Sequence, residues 1–307
     1  MITAITLCLL LLGGGVAYAA WALAAYRHGV EPALLALGAA GAYLALFGIF
    51  ATVWFLLAWA YRAQRPPQAQ IGFATTVRMF TEEWITLAGS ALRMGFGWWF
   101  MRDPPATRAD RPVLLVHGVL CNAGVWLGMR GALSGMGVGP IYTISLRSPL
   151  ASIDRFAEQV AARIDHILAV TGAPKIVIVG HSMGGLVARA YVRAYGSNRV
   201  TRLVTIGTPH RGSVVARGVP GACLGQMCPG SEWLQGLNAA ARPVIPVVSI
   251  WSWHDSMVVP QDSSQLAGAT NITVTGVGHN ALLRNRRVIR LVAEALAPER
   301  SPATAAG

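Results

Sequence analysis

The hydrophobic pattern of the chain begins with two long apolar runs near its N-terminus. Residues 2–26 and residues 33–61 contain no charged side chain, and a short break at residues 27–32 separates them. Each run exceeds the roughly 20 residues that a helix needs to cross a bilayer. A cleaved leader is the alternative for the first run, but this run lacks a basic start and is longer than the apolar segment of a leader. Residues 1–61 are therefore predicted to form two transmembrane helices.

A second pattern, with apolar side chains at helical spacing, follows in residues 62–111. After a Pro-Pro linker at residues 66–67, apolar residues recur every three or four positions. The set comprises Phe73, Val77, Phe80, Trp84 and Leu87, and the aromatic run Trp98, Trp99 and Phe100 lies further on. These spacings predict an amphipathic helix, for which two interpretations are open. Either the helix packs on the domain that follows, or its aromatic side chains lie in the membrane interface, where tryptophan is favoured.

From residue 112 onward, short apolar runs alternate with amphipathic stretches, which is typical of βαβ units in a parallel sheet. Six strands are predicted, at residues 113–116, 142–146, 175–179, 200–206, 244–251 and 271–275. Helices are predicted between strands, including one over residues 183–195, and a last helix is predicted over residues 288–296. Residues 112–307 are thus expected to form an α/β domain with a mostly parallel central sheet.

Residues 180–184, Gly-His-Ser-Met-Gly, have the G-x-S-x-G pattern of a nucleophile elbow. The pattern fixes only three positions, so its context decides how specific it is. A predicted strand runs directly into it and a predicted helix follows, which is the strand-to-helix turn that the elbow requires. Ser182 is therefore the predicted catalytic nucleophile.

A serine hydroxyl is a weak nucleophile at neutral pH and needs a histidine base that a carboxylate holds in place. His279 follows the last predicted strand in a loop of small residues, where it fits the chain order of serine, acid and histidine. His210 comes too early in the chain, and His254 directly precedes a carboxylate. His279 is therefore the predicted base.

The predicted acid is Asp255, which follows the fifth predicted strand. Open parallel sheets gather their sites at the carboxyl ends of the strands, so Asp255 is expected beside Ser182 and His279. Asp262 is the alternative acid, although its polar surroundings favour an exposed loop or a helix cap. Glu232 lies in the intervening insert.

Backbone N–H groups are the usual donors to the negative charge of a tetrahedral intermediate. One is expected from Met183, the residue after the nucleophile, and the other from the loop after the first predicted strand. In that loop Val119 is the candidate, and Leu120 is the alternative. His117 precedes the nucleophile, so it is expected to shape the loop rather than to act as the base.

Composition and charge bear on partners and location. The formal net charge is +12, and all basic residues but Lys175 are arginine. The arginines are scattered, except for a cluster within residues 284–290, and no nucleic-acid-binding motif accompanies them, so no nucleic-acid partner is predicted. A basic domain tethered beside a bilayer is instead suited to anionic lipid headgroups. No pattern in the sequence indicates an oligomeric state.

Orientation in the membrane is left open by two opposing signals. Arg62, Arg65 and Arg78 follow the second apolar run, and this asymmetry favours a domain on the cytoplasmic side. Cys223 and Cys228 share one Gly-rich loop and are able to pair in an oxidising compartment. That possibility favours a domain on the side of the membrane opposite the cytoplasm. The predicted location is a membrane, in a bacterium the inner membrane, with the cytoplasmic side favoured.

These residues together resemble the α/β-hydrolase superfamily, and more narrowly the small bacterial triacylglycerol lipases. The resemblance lies in residues 113–118, 180–185, 208–212, 229–231 and 276–279, and it extends over roughly residues 112–296. It implies a hydrolase of carboxylic esters that uses no cofactor and no metal. It also assigns Ser182, Asp255 and His279 to a catalytic triad, and Val119 and Met183 to the oxyanion hole.

Two features depart from that pattern. The lipases are secreted, whereas this chain is predicted to keep two membrane spans, which puts an extracellular bulk-lipid substrate in doubt. Residues 212–243 form an insert where the superfamily carries its cap, and the insert is expected to be either a gate or a fixed wall. The predicted substrate is a lipid, a lipid-like ester or a small ester. Phospholipases, lysophospholipases, thioesterases and acyltransferases use the same triad, and a non-catalytic scaffold is the alternative from another class.

Overall fold

The structure, a computed structural model, describes residues 4–96, 100–240 and 244–297, with side chains from residue 13 onward. Two long helices come first, α1 (Ala4–Arg27) and α2 (Pro32–Ala60). Proline at the first position of α2 suits a helix start, because the N–H that it lacks would have no partner there. The helices contact each other, and the Tyr18 hydroxyl donates a 2.7 Å hydrogen bond to the Leu35 carbonyl.

Within the described part of the chain, α2 has the length and apolar composition of a membrane span. Its mean hydropathy is 2.1 over its best window, and its 29 residues include no charged side chain. This agrees with the second predicted span. The first predicted span coincides with α1, and its crossing of a membrane stays a prediction.

The helix predicted after the Pro-Pro linker is present as α3 (Phe73–Phe96). It lies against α2, where the Trp84 indole donates to the Leu44 carbonyl at 2.7 Å and the Tyr43 hydroxyl donates to the Ala88 carbonyl at 2.6 Å. Its buried residues are Met79, Glu83, Thr86, Leu87, Ala88 and Ser90. Trp98 and Trp99, on which the interfacial interpretation also drew, lie outside the described residues.

Six parallel strands form the central sheet, in the order β2-β1-β3-β4-β5-β6. They are β1 (Val113–Val116), β2 (Ile141–Ile144), β3 (Ile176–His181), β4 (Val200–Ile206), β5 (Val247–Ser252) and β6 (Thr270–Val274). All six coincide with predicted strands. The fifth begins three residues later than predicted, after Pro246, whose missing N–H cannot join the ladder.

Helices cover both faces of the sheet. They are α4 (Leu127–Gly135), α5 (Ile153–Thr171), α6 (Met183–Tyr195), α7 (Ala222–Gln226), α8 (Glu232–Ala239) and α9 (Arg286–Leu296). Side chains alternate along the strands, so Leu114 joins one core with α5 and α6, while Leu115 joins the other with α4 and α9. Burial on both faces explains why the strands read as continuous apolar runs.

This strand order fixes where a site forms. The chain passes from β1 to β2 on one side and then crosses to β3 on the other side of β1. At such a switch point, the loops that leave the carboxyl ends of the two strands diverge and open a crevice. The loop after β1 and the turn after β3 therefore meet at one edge of the sheet.

Candidate active site

Ser182 occupies the turn between β3 and α6. Its backbone has φ 55° and ψ −127°, a region that residues with a side chain rarely adopt. Its N–H donates to the Ile206 carbonyl at 2.8 Å, which ties the turn to the end of β4. The tight turn presents a half-buried serine at the crevice, as the elbow pattern predicts.

Asp255 and His279 form a buried pair at the same edge of the sheet. His279 Nδ1 donates to Asp255 Oδ2 at 2.8 Å, and both side chains are almost fully buried. The second carboxylate oxygen, Oδ1, accepts from the N–H groups of Met257 and Val258 at 2.8 and 2.7 Å. These bonds hold the carboxylate and select the imidazole tautomer whose Nε2 is free to take a proton.

Opposing influences set the pKa of His279. Burial lowers the pKa of its imidazole, whereas the charge and hydrogen bond of Asp255, together with the charge of Glu83, raise it. The net result is a pKa above the ordinary value of 6.5. The His181 ring lies 4.7 Å from that of His279, and burial keeps the pKa of His181 well below 6.5, so this neighbour is neutral.

Gly207, just after β4, lies close to the Asp255–His279 pair. A side-chain carbon placed there would lie 3.1 Å from Asp255 Oδ2 and 3.4 Å from His279 Nδ1. The preceding residue, Ile206, accepts the hydrogen bond from the Ser182 N–H. Among the described hydrogen bonds, none joins Ser182 Oγ to His279. Bonds of this kind are commonly long until substrate is bound.

The candidate oxyanion donors line the crevice on the β1 side. Gly118 approaches so closely that a side-chain carbon there would lie 2.9 Å from Ser182 Cβ. Met183 is the first residue of α6, so its N–H has no partner within that helix. A small cleft is lined by Gly118, Leu120 and Met183, and Leu120 has a φ of 55°. Val119 lies between Gly118 and Leu120 in the loop after β1 and packs, partly buried, against the core.

His117 and His254 bond to backbone groups and take no part in the Asp255–His279 pair. His117 Nδ1 donates to the Gly118 carbonyl at 2.8 Å, and its Nε2 accepts from the Leu146 N–H at 3.0 Å, so it joins the loops after β1 and β2. Burial lowers the pKa of His117 to about 4. His254 accepts from a backbone N–H, and burial with the nearby Arg65 lowers its pKa to about 4. Both are neutral structural histidines.

His210 and Asp262, two rejected candidates for the triad, lie in other contacts. His210 is buried beside Arg189 and Thr205, and burial holds its pKa well below 6.5. Asp262 forms a 2.7 Å ion pair with Arg211 near the surface. Among the described residues, no group of three or more His, Cys, Asp or Glu side chains is placed to hold a metal ion.

The described part of the insert, residues 212–240, packs against the domain. Met227, Leu234 and Leu237 join the core beside α5 and α6. Polar bonds add to this contact, because the Trp233 indole and the Gln226 amide both donate to Asp154. The remaining three residues of the insert, 241–243, lie outside the described residues.

The two cysteines of the insert are free thiols in this structure. Cys223 Sγ lies 3.8 Å from the Pro149 carbonyl, and Cys228 Sγ lies 3.4 Å from the Leu224 carbonyl. The disulfide that the spacing allows is therefore not formed here.

Sequence analysis missed Glu83, a buried carboxylate that α3 brings to the loop of His279. The sequence carried a signal, since Met79, Glu83 and Leu87 share one face of the helix at intervals of four residues. A charged residue between two apolar ones on a helix face is expected to have a buried polar partner.

Comparison with known proteins agrees with this fold. Residues 151–296 match the family described as PGAP1-like alpha/beta domain. A triacylglycerol lipase of Burkholderia plantarii is 37% identical over 145 residues, which cover 42% of this chain and 38% of the lipase. Another, of Pseudarthrobacter phenanthrenivorans, is 40% identical over 114 residues, covering 34% and 35% of the respective chains. The chain thus spans under two-fifths of the length of these curated relatives.

A solved structure shows the same architecture. The mature form of the Bacillus licheniformis lipase BlEst2 superposes with a TM-score of 0.56 at 16% sequence identity, covering 64% of this chain and 95% of that one. At this identity the likeness concerns the fold alone. Together with the parallel sheet, this likeness shows an α/β-hydrolase-like fold, and the sequence matches show that part of the chain is similar to bacterial lipases.

Proposed function

We propose that the chain is a membrane-anchored serine hydrolase that cleaves carboxylic esters through an acyl-enzyme on Ser182. The observation that carries this proposal is the buried 2.8 Å hydrogen bond between His279 Nδ1 and Asp255 Oδ2. A histidine held in this way is the base that a serine hydroxyl needs in order to attack a carbonyl carbon. The positive φ of Ser182, at the same sheet edge, is a second support.

In the proposed reaction, His279 Nε2 takes the proton of Ser182 Oγ as that oxygen attacks the ester carbonyl carbon. Negative charge then develops on the former carbonyl oxygen, and the N–H groups of Met183 and Val119 stabilise it, with Leu120 as the alternative to Val119. The imidazolium protonates the departing alkoxide, which leaves the acyl group on Ser182. A water molecule that His279 deprotonates attacks this acyl-enzyme. The bond to Ser182 Oγ then breaks, the imidazolium returns its proton to that oxygen, and the carboxylic acid leaves. Asp255 holds the tautomer of His279 throughout.

The proposed substrate is a lipid or a lipid-like ester. Both curated relatives described above are called triacylglycerol lipases. Apolar side chains, among them Leu146, Pro149 and Phe156, lie with Gly118 and Met183 around a cleft that is too narrow to hold a water molecule in this structure. Leu120 beside this cleft is 56% exposed. Burial of an acyl chain there would require these side chains to move, and each buried methylene would then contribute roughly 0.8 kcal/mol.

The anchoring part of the proposal rests on α2 and on the residues that follow it. The Arg62 guanidinium lies 4.9 Å from the centre of the Trp59 ring and donates to the Trp59 carbonyl at 2.6 Å. Tryptophan with arginine at the end of an apolar helix is typical of a membrane boundary. We propose that α1 is the other span and that the domain lies on the cytoplasmic side of a bacterial inner membrane.

We propose further that the insert is a fixed wall rather than a gate. Besides its packed leucines, Ser213 Oγ donates to the Met257 carbonyl at 2.7 Å and accepts from the Val259 N–H at 3.0 Å. A gate has to leave its contacts at little cost, whereas these bonds join the insert to the loop of Asp255.

A hydrolysis screen of the full-length protein in detergent tests this function. The substrates are p-nitrophenyl esters of increasing chain length, phospholipids and acyl thioesters. We expect ester hydrolysis that Ser182→Ala lowers by at least about a thousandfold, because members of such a triad act as a unit. Ser134→Ala, at an exposed serine of α4, is the control. Full activity of the Ser182→Ala variant would refute the proposal.

A further inference from the structure

Glu83, in the helix that follows the membrane span, is 1% exposed and accepts four hydrogen bonds. Its Oε1 accepts from Ser256 Oγ at 3.0 Å and from both the backbone N–H and the side-chain Nδ2 of Asn280 at 2.9 Å. Its Oε2 accepts from the Ala281 N–H at 2.8 Å. All four partners are donors, which is the pattern that a carboxylate satisfies.

These partners belong to the two loops that carry the acid and the base. Ser256 is the residue after Asp255, and Asn280 is the residue after His279. One carboxylate therefore joins the loop after β5 to the loop after β6. Removing a buried acceptor leaves its donors unsatisfied, which is unfavourable where water cannot replace it.

Gly278 fits closely against this carboxylate. A side-chain carbon at residue 278 would lie 2.6 Å from Glu83 Oε2 and 2.7 Å from Glu83 Cδ. The chain just before His279 thus rests on the Glu83 carboxylate, in contact that only glycine permits. The loop of the base is held on both sides of His279, by contact before it and by hydrogen bonds after it.

The segment between α2 and α3 reaches the acid loop independently. Gln261 Nε2 donates to the Asp255 carbonyl at 3.1 Å, and Gln261 Oε1 accepts from the Ala63 N–H at 3.1 Å. Arg65 Nε donates to the Trp253 carbonyl at 3.0 Å. The chain that leaves α2 is therefore bonded to the acid loop by contacts separate from those of Glu83.

We propose that Glu83 is a positioning residue for the His279–Asp255 pair, supplied by the helix that follows the membrane span. The inference rests on the proposed function and deepens it. Glu83 fixes the loops of both partners and adds negative charge near the His279 imidazole. Without it, substrate still binds, but the base is less well aligned and turnover falls.

The test compares Glu83→Gln with Glu82→Gln in the full-length protein, on a short soluble p-nitrophenyl ester. Glutamine keeps the shape of Glu83 but replaces one acceptor by an amide group that faces donors. We expect kcat to fall about 10- to 100-fold, as for a small misplacement of a catalytic group, with little change in KM. Glu82 is the matched control, since it is exposed and ion-paired with Arg78 at the helix surface. Its variant is expected to match the wild type.

The pH profile separates positioning from a general loss of structure. Charged or titratable groups facing His279 are Asp255, Glu83 and His181. Removing the Glu83 charge lowers the pKa of His279, so the acidic limb of kcat/KM is expected to move to lower pH. A variant that is merely less stable loses activity without this shift. The unfolding midpoint, measured alongside, reports whether Glu83→Gln is folded.

If Glu83→Gln does not fold, the double variant Ser256→Ala with Asn280→Ala carries the test, because it removes two side-chain donors and leaves Glu83 in place. Its kcat is expected to fall with KM retained. A folded Glu83→Gln variant with wild-type kcat and an unmoved acidic limb would overturn the proposal. If that variant does not fold, wild-type kcat in the double variant would overturn it. Failure of the proposed function looks different, since the wild type and Glu82→Gln would then hydrolyse no ester.

Discussion

Ser182 combines two properties that rarely occur together, a side chain at a reactive crevice and a backbone in the left-handed region. Such a conformation costs of order 1–3 kcal/mol and persists only where the surroundings enforce it. Here β3 and α6 enforce it from both sides, and the bond from the Ser182 N–H to the end of β4 fixes the turn. The strain exposes the hydroxyl at the edge of the sheet where His279 lies.

The assignment of the acid gives a prediction at this scale. Asp255→Asn keeps the shape of the pair but disfavours the tautomer that leaves His279 Nε2 free, and in a well-studied triad this change costs about ten-thousandfold in kcat. Asp262→Asn, which breaks only the ion pair with Arg211, is the matched control and is expected to stay within about twofold of the wild type. Steady-state kinetics on a soluble ester measure both. Damage from Asp262→Asn with a benign Asp255→Asn would reverse the assignment.

A pH dependence follows from the raised pKa of His279. The base must be neutral to accept the proton of Ser182, so kcat/KM rises with pH as His279 loses its proton. Because Asp255 and Glu83 outweigh the effect of burial, the midpoint of this acidic limb is expected above pH 6.5. Kinetics on a soluble ester between pH 5 and 9 measure it. A midpoint clearly below 6.5 would contradict the charge balance described for His279.

Local sequence signals account for Ser182, Asp255 and His279 but not for Glu83. The first three follow predicted strands, and the alignment of parallel strand ends gathers them at one edge without knowledge of packing. Glu83 lies 173 residues before Ser256, on a helix outside the predicted domain. Only the packing of that helix on the loops brings the two side chains together, so the spacing of Met79, Glu83 and Leu87 indicates a buried polar partner but not which residue it is.

At the scale of elements, α6 lies so close to β1 that Gly184, in its first turn, has no room for a side chain. A side-chain carbon at Gly184 would lie 2.1 Å from the Val116 carbonyl oxygen and 2.7 Å from that of His117. Both are backbone atoms, which cannot move without displacing the strand. The spacing of β1 and α6, and with it the crevice, therefore depends on a small residue here.

Substituting this glycine tests the packing. Gly184→Ala is expected to lower the free energy of unfolding by about 3 kcal/mol or more, as overpacking does at a rigid contact. Gly131→Ala is the control, because Gly131 lies in α4 with nothing within 4 Å of its added carbon. That change is expected to stabilise by about 0.5–1 kcal/mol through helix propensity. Thermal unfolding of the full-length variants measures both, and equal midpoints would contradict the close approach.

The amphipathic pattern predicted α3 but indicated only part of its buried face. Phe73 and Val77 belong to the predicted apolar stripe, yet they are 85% and 47% exposed. The buried face instead includes Glu83, Thr86 and Ser90, and Glu83 accepts from the loop N–H groups of Asn280 and Ala281. Hydrophobic periodicity alone does not reveal a buried face that carries polar side chains.

At the scale of the whole molecule, α3 connects the apolar N-terminal helices to the edge of the sheet where Ser182, Asp255 and His279 lie. One of its sides contacts α2 and the loops of the acid and base. Another side leaves large apolar side chains exposed, namely Phe73, Val77, Ile85, Leu92 and Phe96. Both interpretations of the helix are therefore compatible, since it packs on the domain and also has an apolar surface suited to the membrane interface.

This arrangement predicts different effects on two kinds of substrate. Phe73→Ser with Phe96→Ser is expected to lower hydrolysis of long-chain lipid in vesicles several-fold, while hydrolysis of a short soluble ester stays near the wild-type rate. Tyr195→Ser is the control, because Tyr195 is exposed at the end of α6, at the opposite edge of the sheet from Ser182. Parallel assays on vesicles and soluble ester measure the ratio. An unchanged ratio would mean that α3 does not meet lipid.

The central claim is that Ser182 is a nucleophile activated by His279. Labelling of the full-length protein with a fluorophosphonate, followed by mass spectrometry of its peptides, tests this most directly, because only an activated serine reacts. The account predicts one adduct, on Ser182, which is absent from Ser182→Ala and forms far more slowly in His279→Ala. An adduct on another residue, or none in a preparation that hydrolyses esters, would contradict it.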